Sequence, residues 1–157
     1  MNKTRKLIFL FLAVCWMVVI FLFSARNAQE STEDSYAVGM TVGKITQPSF
    51  EQWSQEEQLV YAEKVDFPVR KIAHATEYAL LSCLLLGVWY DKHKKLRRYV
   101  WIPWLIATLY AVTDEVHQWY VPGRSCQATD VMIDSVGAMV GILFSVLGIY
   151  FIHKIKK

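Results

Sequence analysis

Four long apolar segments constrain the fold of this chain more than any other feature of its sequence. They are Leu7–Phe23, Ile72–Tyr90, Val100–Tyr120 and Val131–Ile152. Each holds about 17–22 residues, close to the roughly 20 that a helix needs to cross a bilayer. Charged residues in the third and fourth segments make their assignment as spans weaker than that of the first. We predict one all-α integral membrane domain over residues 1–157 with four transmembrane helices, rather than a soluble bundle of buried helices.

Lysine and arginine residues predict the orientation of the spans. They cluster before the first segment, between the second and third, and after the fourth. With four spans, all three clusters lie on one side, which the positive-inside tendency makes cytoplasmic. Both termini are then cytoplasmic, and residues 24–71 and a short turn at 121–130 lie outside. The clusters contain Lys3, Arg5, Lys6, Lys92, Lys94, Lys95, Arg97, Arg98, Lys154, Lys156 and Lys157.

The outer segment is polar and gives two different signals. Ser24–Pro48 shows little periodicity and is predicted to be a loop. Ser49–Gln52 and Ser54–Glu57 both match the capping-box pattern, so a helix is expected to start at one of them and to end before Pro68. This short helix either lies on the outer membrane surface or packs, solvated, over the bundle.

Charged and polar side chains concentrate near the predicted outer ends of three spans. A charge at the bilayer centre costs roughly 2.5–3.5 kcal/mol even on the most lenient scale, so these groups need partners or a water-filled pocket. Spacings of three and four residues place them on shared helix faces, except Glu115, which points about 100° away from Asp114. We predict a pocket open to the outer face. The residues are His74, Glu77, Tyr78, Asp114, Glu115, His117, Gln118, Arg124, Asp130 and Asp134.

These residue types suggest roles in binding and acid–base chemistry. Arg124 can hold a phosphate or carboxylate through two hydrogen bonds. His117 with Asp114 would be a base and its orienting acid, and His74 with Glu77 the opposing acid pair. The other candidates are Glu115 for catalysis and Gln118, Asp130 and Tyr78 for substrate binding.

Four alternative interpretations of residues in this region stay open. The polar groups can form a structural network that fixes helix register. Tyr78 can be a membrane-interface aromatic, and Thr129 or Asp130 can be the N-cap of the fourth helix. A divalent metal could be bound by His74, His117 and two or three acids, although no standard zinc-site spacing supports it.

The motif Asp114-Glu115-x-His117-Gln118-x-x-x-Pro122-Gly123-Arg124, followed by Asp130-x-x-x-Asp134-x-x-Gly137-x-x-x-Gly141, strongly resembles the VanZ-like family of small bacterial membrane proteins. Lys71-x-x-His74-x-x-x-Tyr78 fits the second-span signature of that family. Two departures stand out: Ala25-Arg26 replaces the commoner Ser-Gln, and Asp134 replaces the Asn of many relatives. The Gly137/Gly141 spacing is also typical of close helix packing.

The resemblance implies a multi-pass protein of the bacterial plasma membrane, and its founding member is associated with teicoplanin resistance. It implies no reaction, so whether the chain is an enzyme stays open. Our leading hypothesis is a cell-envelope protein that binds, and acts by acid–base chemistry on, an anionic amphiphilic or lipid-linked molecule. The expected partner is a membrane lipid or lipid-linked envelope molecule, and no nucleic acid is expected. The alternatives are a non-catalytic surface module and a component of a transporter, which would require more spans or an oligomer.

Overall fold

The computed structural model describes residues 3–90 and 97–155, which form helices joined by short turns, with no strand in that range. The α-helices are α1 (Lys3–Ser24), α2 (Ala28–Thr46), α3 (Gln55–Trp89), α4 (Arg97–Gln118) and α5 (Ala128–Ile155), and a 3-10 helix, Phe50–Gln52, precedes α3. Five of the basic residues used to predict the orientation lie outside the described residues: Lys92, Lys94, Lys95, Lys156 and Lys157.

Contacts between α1 and its neighbours define the directions of three helices. The indole nitrogen of Trp16 donates to the Glu77 carbonyl at 2.9 Å, and the Arg5 guanidinium donates to the Tyr90 carbonyl, so α1 and α3 are antiparallel. The Tyr110 hydroxyl donates to a carbonyl of α1 at 2.7 Å. The C-terminal ends of α1 and α4 also meet, so these two helices are parallel.

Helix α5 packs along α3 in the same direction and along α4 in the opposite direction. The Ser82 hydroxyl of α3 donates to the Ala138 carbonyl at 2.7 Å. The Trp104 indole of α4 donates to the Ser135 carbonyl at 3.2 Å. Four helices thus alternate in direction, and α1 and α4 end where α5 begins. We call that end of the bundle the site end.

Three helices in the described part of the chain are long and apolar enough to cross a membrane: α1, α3 and α5. Helix α4 is not among them because Pro103, aromatic residues and Asp114, Glu115 and His117 lower its hydropathy. Large apolar side chains cover the outside of the bundle, as with Phe11 at 67% exposure and Phe144 at 69%. Such a surface is typical of helices that contact lipid. The four-span topology stays a prediction.

The prediction of a loop over Ser24–Pro48 is wrong, because residues 28–46 form α2. The helix begins with a capping box: the Asn27 side chain accepts the Glu30 N–H at 3.0 Å, and the Glu30 carboxylate accepts the Asn27 N–H at 3.0 Å. Reciprocal bonds of this kind satisfy backbone donors that a helix start leaves unpaired.

Small residues spaced four apart form the buried face of α2. Ser35, Gly39 and Gly43 are its buried residues. A Cβ on Gly39 would lie 3.2 Å from the Cα of Ala62 in α3, so the two helix backbones approach closely there. An interface made of small residues carries no large apolar periodicity, which is why the sequence did not predict this helix.

The predicted capping box at Ser54–Glu57 is confirmed, but the prediction that the helix ends before Pro68 is wrong. Ser54 Oγ accepts the Glu57 N–H at 3.3 Å, and α3 then runs without interruption to Trp89. An interior proline costs about 3 kcal/mol, which packing on α2 and α1 can offset. At 1.5 Å per residue, α3 is roughly 50 Å long, longer than the hydrocarbon core of a bilayer. The predicted surface helix is therefore the first half of α3, and with α2 it forms a helical hairpin.

Candidate functional site

A cavity of about 300 Å³ lies at the site end, between α1, α2, α3, α4 and the α4–α5 loop. We call it the main cavity. Its apolar wall consists of Ile20, Phe23, Val38, Val69 and Ala73. Its polar wall includes Arg70, His74, Glu77, Asp114 and Arg124, together with Ser24, Arg26, Ser31, Asp34 and Ser35. One cavity is thus lined by both apolar and charged side chains.

A second cavity of about 140 Å³, the small cavity, adjoins the first. It shares Arg70, His74 and Arg124 with the main cavity. The remaining polar lining comes from Lys71, Gln118, Ser125, Gln127 and Asp130. Three residues therefore separate a largely apolar compartment from a polar one.

Asp114 is buried where α4 meets α1 and α3. Its Oδ2 accepts the Gln118 side-chain N–H at 3.4 Å, which confirms that these two residues share a face. Ser24 and Tyr78 also face this carboxylate. Tyr78 is fully buried and lines neither cavity, so it is not an aromatic at the bundle surface. Its role in substrate binding stays a prediction.

Glu115 points away from Asp114, as predicted. Its Oε2 accepts the backbone N–H of Gln127 at 2.9 Å, which fixes the α4–α5 loop. The side chain is 1% exposed and lines neither cavity. Its position suits an anchor for the loop better than the catalytic role predicted from the sequence.

His117 contacts α1 rather than the acid predicted to orient it. Its Nδ1 lies 3.5 Å from the Ser24 hydroxyl, and its ring lies 4.4 Å from the Phe21 ring. No ion pair within 4.0 Å joins His117 to Asp114. The predicted pairing of His117 as a general base with Asp114 as its orienting acid is absent, because α1 ends against this face of α4.

His74 and Glu77 both line the main cavity, but the acid that faces the histidine is Asp134. The His74 Nδ1 lies 3.7 Å from Asp134 Oδ1. Asp134 is 0% exposed. The predicted pairing of His74 with Glu77 is therefore replaced by a contact across the α3–α5 interface. Asp134 is one of the pocket residues predicted from the sequence, but that prediction gave it no role of its own.

Arg124 is a half-buried cation that lines both cavities. Its Nε donates to the Arg26 carbonyl at 3.1 Å, and none of the described carboxylates lies within 4.0 Å of it. Burial and the charge of Arg70 lower the pKa of Arg124, whereas nearby acids raise it. Because an arginine remains protonated in proteins, this guanidinium is positively charged. It has N–H donors beyond the one that binds the Arg26 carbonyl.

The Asp130 carboxylate forms an ion pair with Lys71, with only 9% and 18% of the two side chains exposed. Helix α5 begins at Ala128, so neither Thr129 nor Asp130 is its N-cap. Asp130 still lines the small cavity. Asp130 therefore has an ion-pair partner, Lys71, in addition to its predicted role in substrate binding.

Helix α2 supplies site residues that the sequence analysis missed because it read this segment as a loop. Ser31, Asp34 and Ser35 line the main cavity, and Asp34 forms an ion pair with Arg26. Ser35 donates to Asp66, which also binds Arg70. The signal that could have found the helix was the Asn27-x-x-Glu30 capping box.

The described part of the chain contains no ligand cluster for the divalent metal considered from the sequence. No group of three or more His, Cys, Asp or Glu side chains lies close enough there to hold an ion. His74 and His117 contact different acids and hydroxyls on different helices.

The family model described as VanZ/LLP1 matches residues 9–151, nearly the whole chain. This match confirms the resemblance based on the motifs of α3, α4 and α5. No curated protein and no solved structure matches the chain.

Proposed function

The chain belongs to the VanZ/LLP1 family, and we propose that it is a four-span protein of the bacterial cell membrane with both termini in the cytoplasm. Its site end then lies at the outer leaflet. There we propose that it binds an anionic amphiphile, either a membrane lipid or a lipid-linked envelope molecule.

The observation that carries this proposal is the mixed apolar and charged lining of the main cavity. Ile20, Phe23 and Val38 offer an apolar wall to an acyl or prenyl chain. In the same cavity Arg124 offers a cation with no carboxylate within 4.0 Å in the described chain. A buried cation without a counter-ion is costly, and an anionic ligand would relieve that cost.

The size of the cavity limits how much of the ligand it encloses. About 300 Å³ is at the lower end of the range for small-molecule pockets. That volume suits a headgroup and the first few carbons of its chain. The rest of the chain would lie in the bilayer, against the apolar outer surface of the bundle.

We assign the acid–base part of the proposal to His74 and Glu77. Both side chains line the main cavity beside Arg124, whereas His117 lines neither cavity. A general base has to come within hydrogen-bonding reach of the proton that it removes. His74 and Glu77 meet this condition for a ligand in the main cavity.

Lipid analysis of the purified protein tests the binding proposal. Wild type and Arg124→Gln are extracted in mild detergent, and the co-purified lipids are identified by mass spectrometry. Wild type should retain an anionic amphiphile. In titrations Arg124→Gln should bind it about 10- to 100-fold more weakly, since hydrogen bonds to charged groups contribute roughly 1.5–3 kcal/mol.

Lys44→Gln is the matched control, because Lys44 carries the same charge but lies on exposed α2 beside Glu51, 3.6 Å away. It should retain the amphiphile at the wild-type level. Equal amounts of anionic amphiphile in wild type and Arg124→Gln would contradict the proposal.

We extend the proposal to lipoglycopeptides of the teicoplanin type, because these are amphiphiles and the family name is that of VanZ. Cells that express the wild-type chain should tolerate more teicoplanin than cells that express Arg124→Gln at the same level. Equal susceptibility of the two strains would restrict the proposal to membrane lipids.

A further inference from the structure

Asp134 is a buried carboxylate at the α3–α5 interface that has no assigned role. Its side chain is 0% exposed, and neither oxygen has a well-formed hydrogen bond to any described residue. The Nδ1 of His74 lies 3.7 Å from Asp134 Oδ1 and is also buried without such a bond. The two groups therefore face each other, and each is the other's available partner.

His74 separates Asp134 from the ligand space. It lines both cavities, whereas Asp134 lines neither. Nδ1 is buried, whereas 16% of the His74 side chain is exposed, so the part of the ring that reaches the cavities is not Nδ1. An acid behind the ring and a free nitrogen in front is the arrangement by which carboxylates orient histidines in hydrolases and metal sites.

We propose that Asp134 is a positioning residue: it accepts the Nδ1–H of His74 and so leaves the lone pair of Nε2 directed at the cavities. This inference rests on the proposed function, in which Nε2 meets the bound amphiphile. A proton that Nε2 takes from a ligand hydroxyl or a water would give an imidazolium, which the Asp134 carboxylate stabilises. The 3.7 Å separation is longer than a hydrogen bond, and such contacts often tighten only when a ligand binds.

Other charged groups surround the pair without replacing either member. They are Arg70, Lys71 and Glu77 on α3, Arg124 in the α4–α5 loop, Asp130 on α5, and Asp114 and Glu115 on α4. Lys71 holds Asp130, and Glu115 holds the Gln127 backbone. Among the described acids, Asp134 is the one with a carboxylate oxygen within 4.0 Å of His74 Nδ1.

Nitrogen NMR of the full-length protein in nanodiscs tests the inference without any ligand. With ¹⁵N-labelled histidine at mildly alkaline pH, above the pKa of a free imidazole, the signal lost in His74→Gln identifies His74. We expect the Nδ1–H tautomer in wild type. We also expect it in Asp134→Asn, since a carboxamide oxygen still accepts the proton.

Asp134→Leu keeps the branched shape but removes the acceptor, so His74 should change to the Nε2–H tautomer that free histidine favours. The signal of His117, whose Nδ1 lies 3.5 Å from Ser24, should stay the same in every variant. An Nε2–H tautomer in wild type, or an Nδ1–H tautomer that persists in Asp134→Leu, would overturn the inference. If Asp134→Leu does not fold, the wild-type tautomer decides.

The failure of this inference can be distinguished from the failure of the proposed function. An Nε2–H His74 in a protein that still binds amphiphile through Arg124 would remove only the role of Asp134. An Nδ1–H His74 in a protein that binds no amphiphile would leave the pair in place and remove the proposed function.

Discussion

A Cβ atom on Gly141 of α5 would lie 2.1 Å from the carbonyl oxygen of Ala79 in α3, so the two helix backbones touch at this point. One turn nearer the site end, a Cβ on Gly137 would lie 2.2 Å from the Ala75 oxygen. The Gly137/Gly141 spacing thus has the close-packing role predicted from the sequence. These contacts fix the register of α3 against α5. They therefore also determine which side chains of the two helices face each other nearer the site end, including His74 and Asp134.

Replacing Gly141 with leucine should strongly destabilise the bundle. The atoms that a side chain would meet include backbone of α3, which cannot move aside as a flexible side chain can. Overpacking of this kind costs about 1–3 kcal/mol or more. We expect a lower midpoint of thermal unfolding in detergent, measured by circular dichroism.

Gly148→Leu is the control, since nothing lies within 4 Å of a Cβ there, and it should be neutral or slightly stabilising. Equal midpoints for the two variants would contradict the packing argument.

The ion pair between Lys71 and Asp130 should behave as a buried structural pair. Removing one partner leaves an uncompensated buried charge, which costs about 3–5 kcal/mol, whereas replacing both partners with apolar residues is often nearly neutral. Lys71→Met should therefore lower the free energy of unfolding by about 3 kcal/mol. Adding Asp130→Leu should restore most of that loss.

The exposed pair of Lys44 and Glu51 provides the comparison for this cycle. Its side chains are 58% and 77% exposed, so Lys44→Met should cost less than about 1 kcal/mol. A Lys71→Met protein as stable as Lys44→Met would show that Lys71 does not hold the Asp130 charge.

Sequence alone located the polar layer but not its pairings. Helix spacing shows which residues share a face, as it did for Asp114 with Gln118. It does not show which residue on another helix each one meets. His74 contacts Asp134 rather than Glu77 because two glycines bring α5 against α3, and His117 contacts Ser24 because α1 ends beside it.

The errors in the predicted fold concern elements whose stability comes from tertiary packing. Pro68 is tolerated because long stretches of helix on both sides of it pack on α2 and α1. Helix α2 is polar, and it is stable because Ser35, Gly39 and Gly43 pack on α3. Neither effect can be read from propensity or apolar periodicity, since both depend on a partner helix.

Glu77→Gln should strengthen the binding of an anionic amphiphile. The Glu77 carboxylate lines the same cavity as Arg124, and like charges repel. Removing this negative charge should improve binding by about 1 kcal/mol, roughly fivefold, in a titration of the purified protein. Glu56→Gln removes the same charge from the exposed start of α3 and should leave the affinity unchanged. Weaker binding by Glu77→Gln would instead show that this carboxylate contacts the ligand directly.

Cys126 makes the four-span topology testable with a native residue. It is exposed in the α4–α5 loop, at the site end of the bundle. If four helices cross the membrane, Cys126 is outside and the C-terminal end of α5 is cytoplasmic. If the bundle has the opposite orientation, both positions are reversed. Crossing by α1, α3 and α5 alone would require α3 and α5 to run in opposite directions; they run in the same direction, which favours four spans.

A membrane-impermeant maleimide should therefore label Cys126 in intact cells, in a variant where Cys15 and Cys83 are serine. The control carries Cys126→Ser and Lys154→Cys, which moves the thiol to the exposed end of α5. It should react only after the cells are permeabilised. Labelling of Lys154→Cys but not Cys126 in intact cells would contradict the predicted orientation, and the main cavity would then face the cytoplasm.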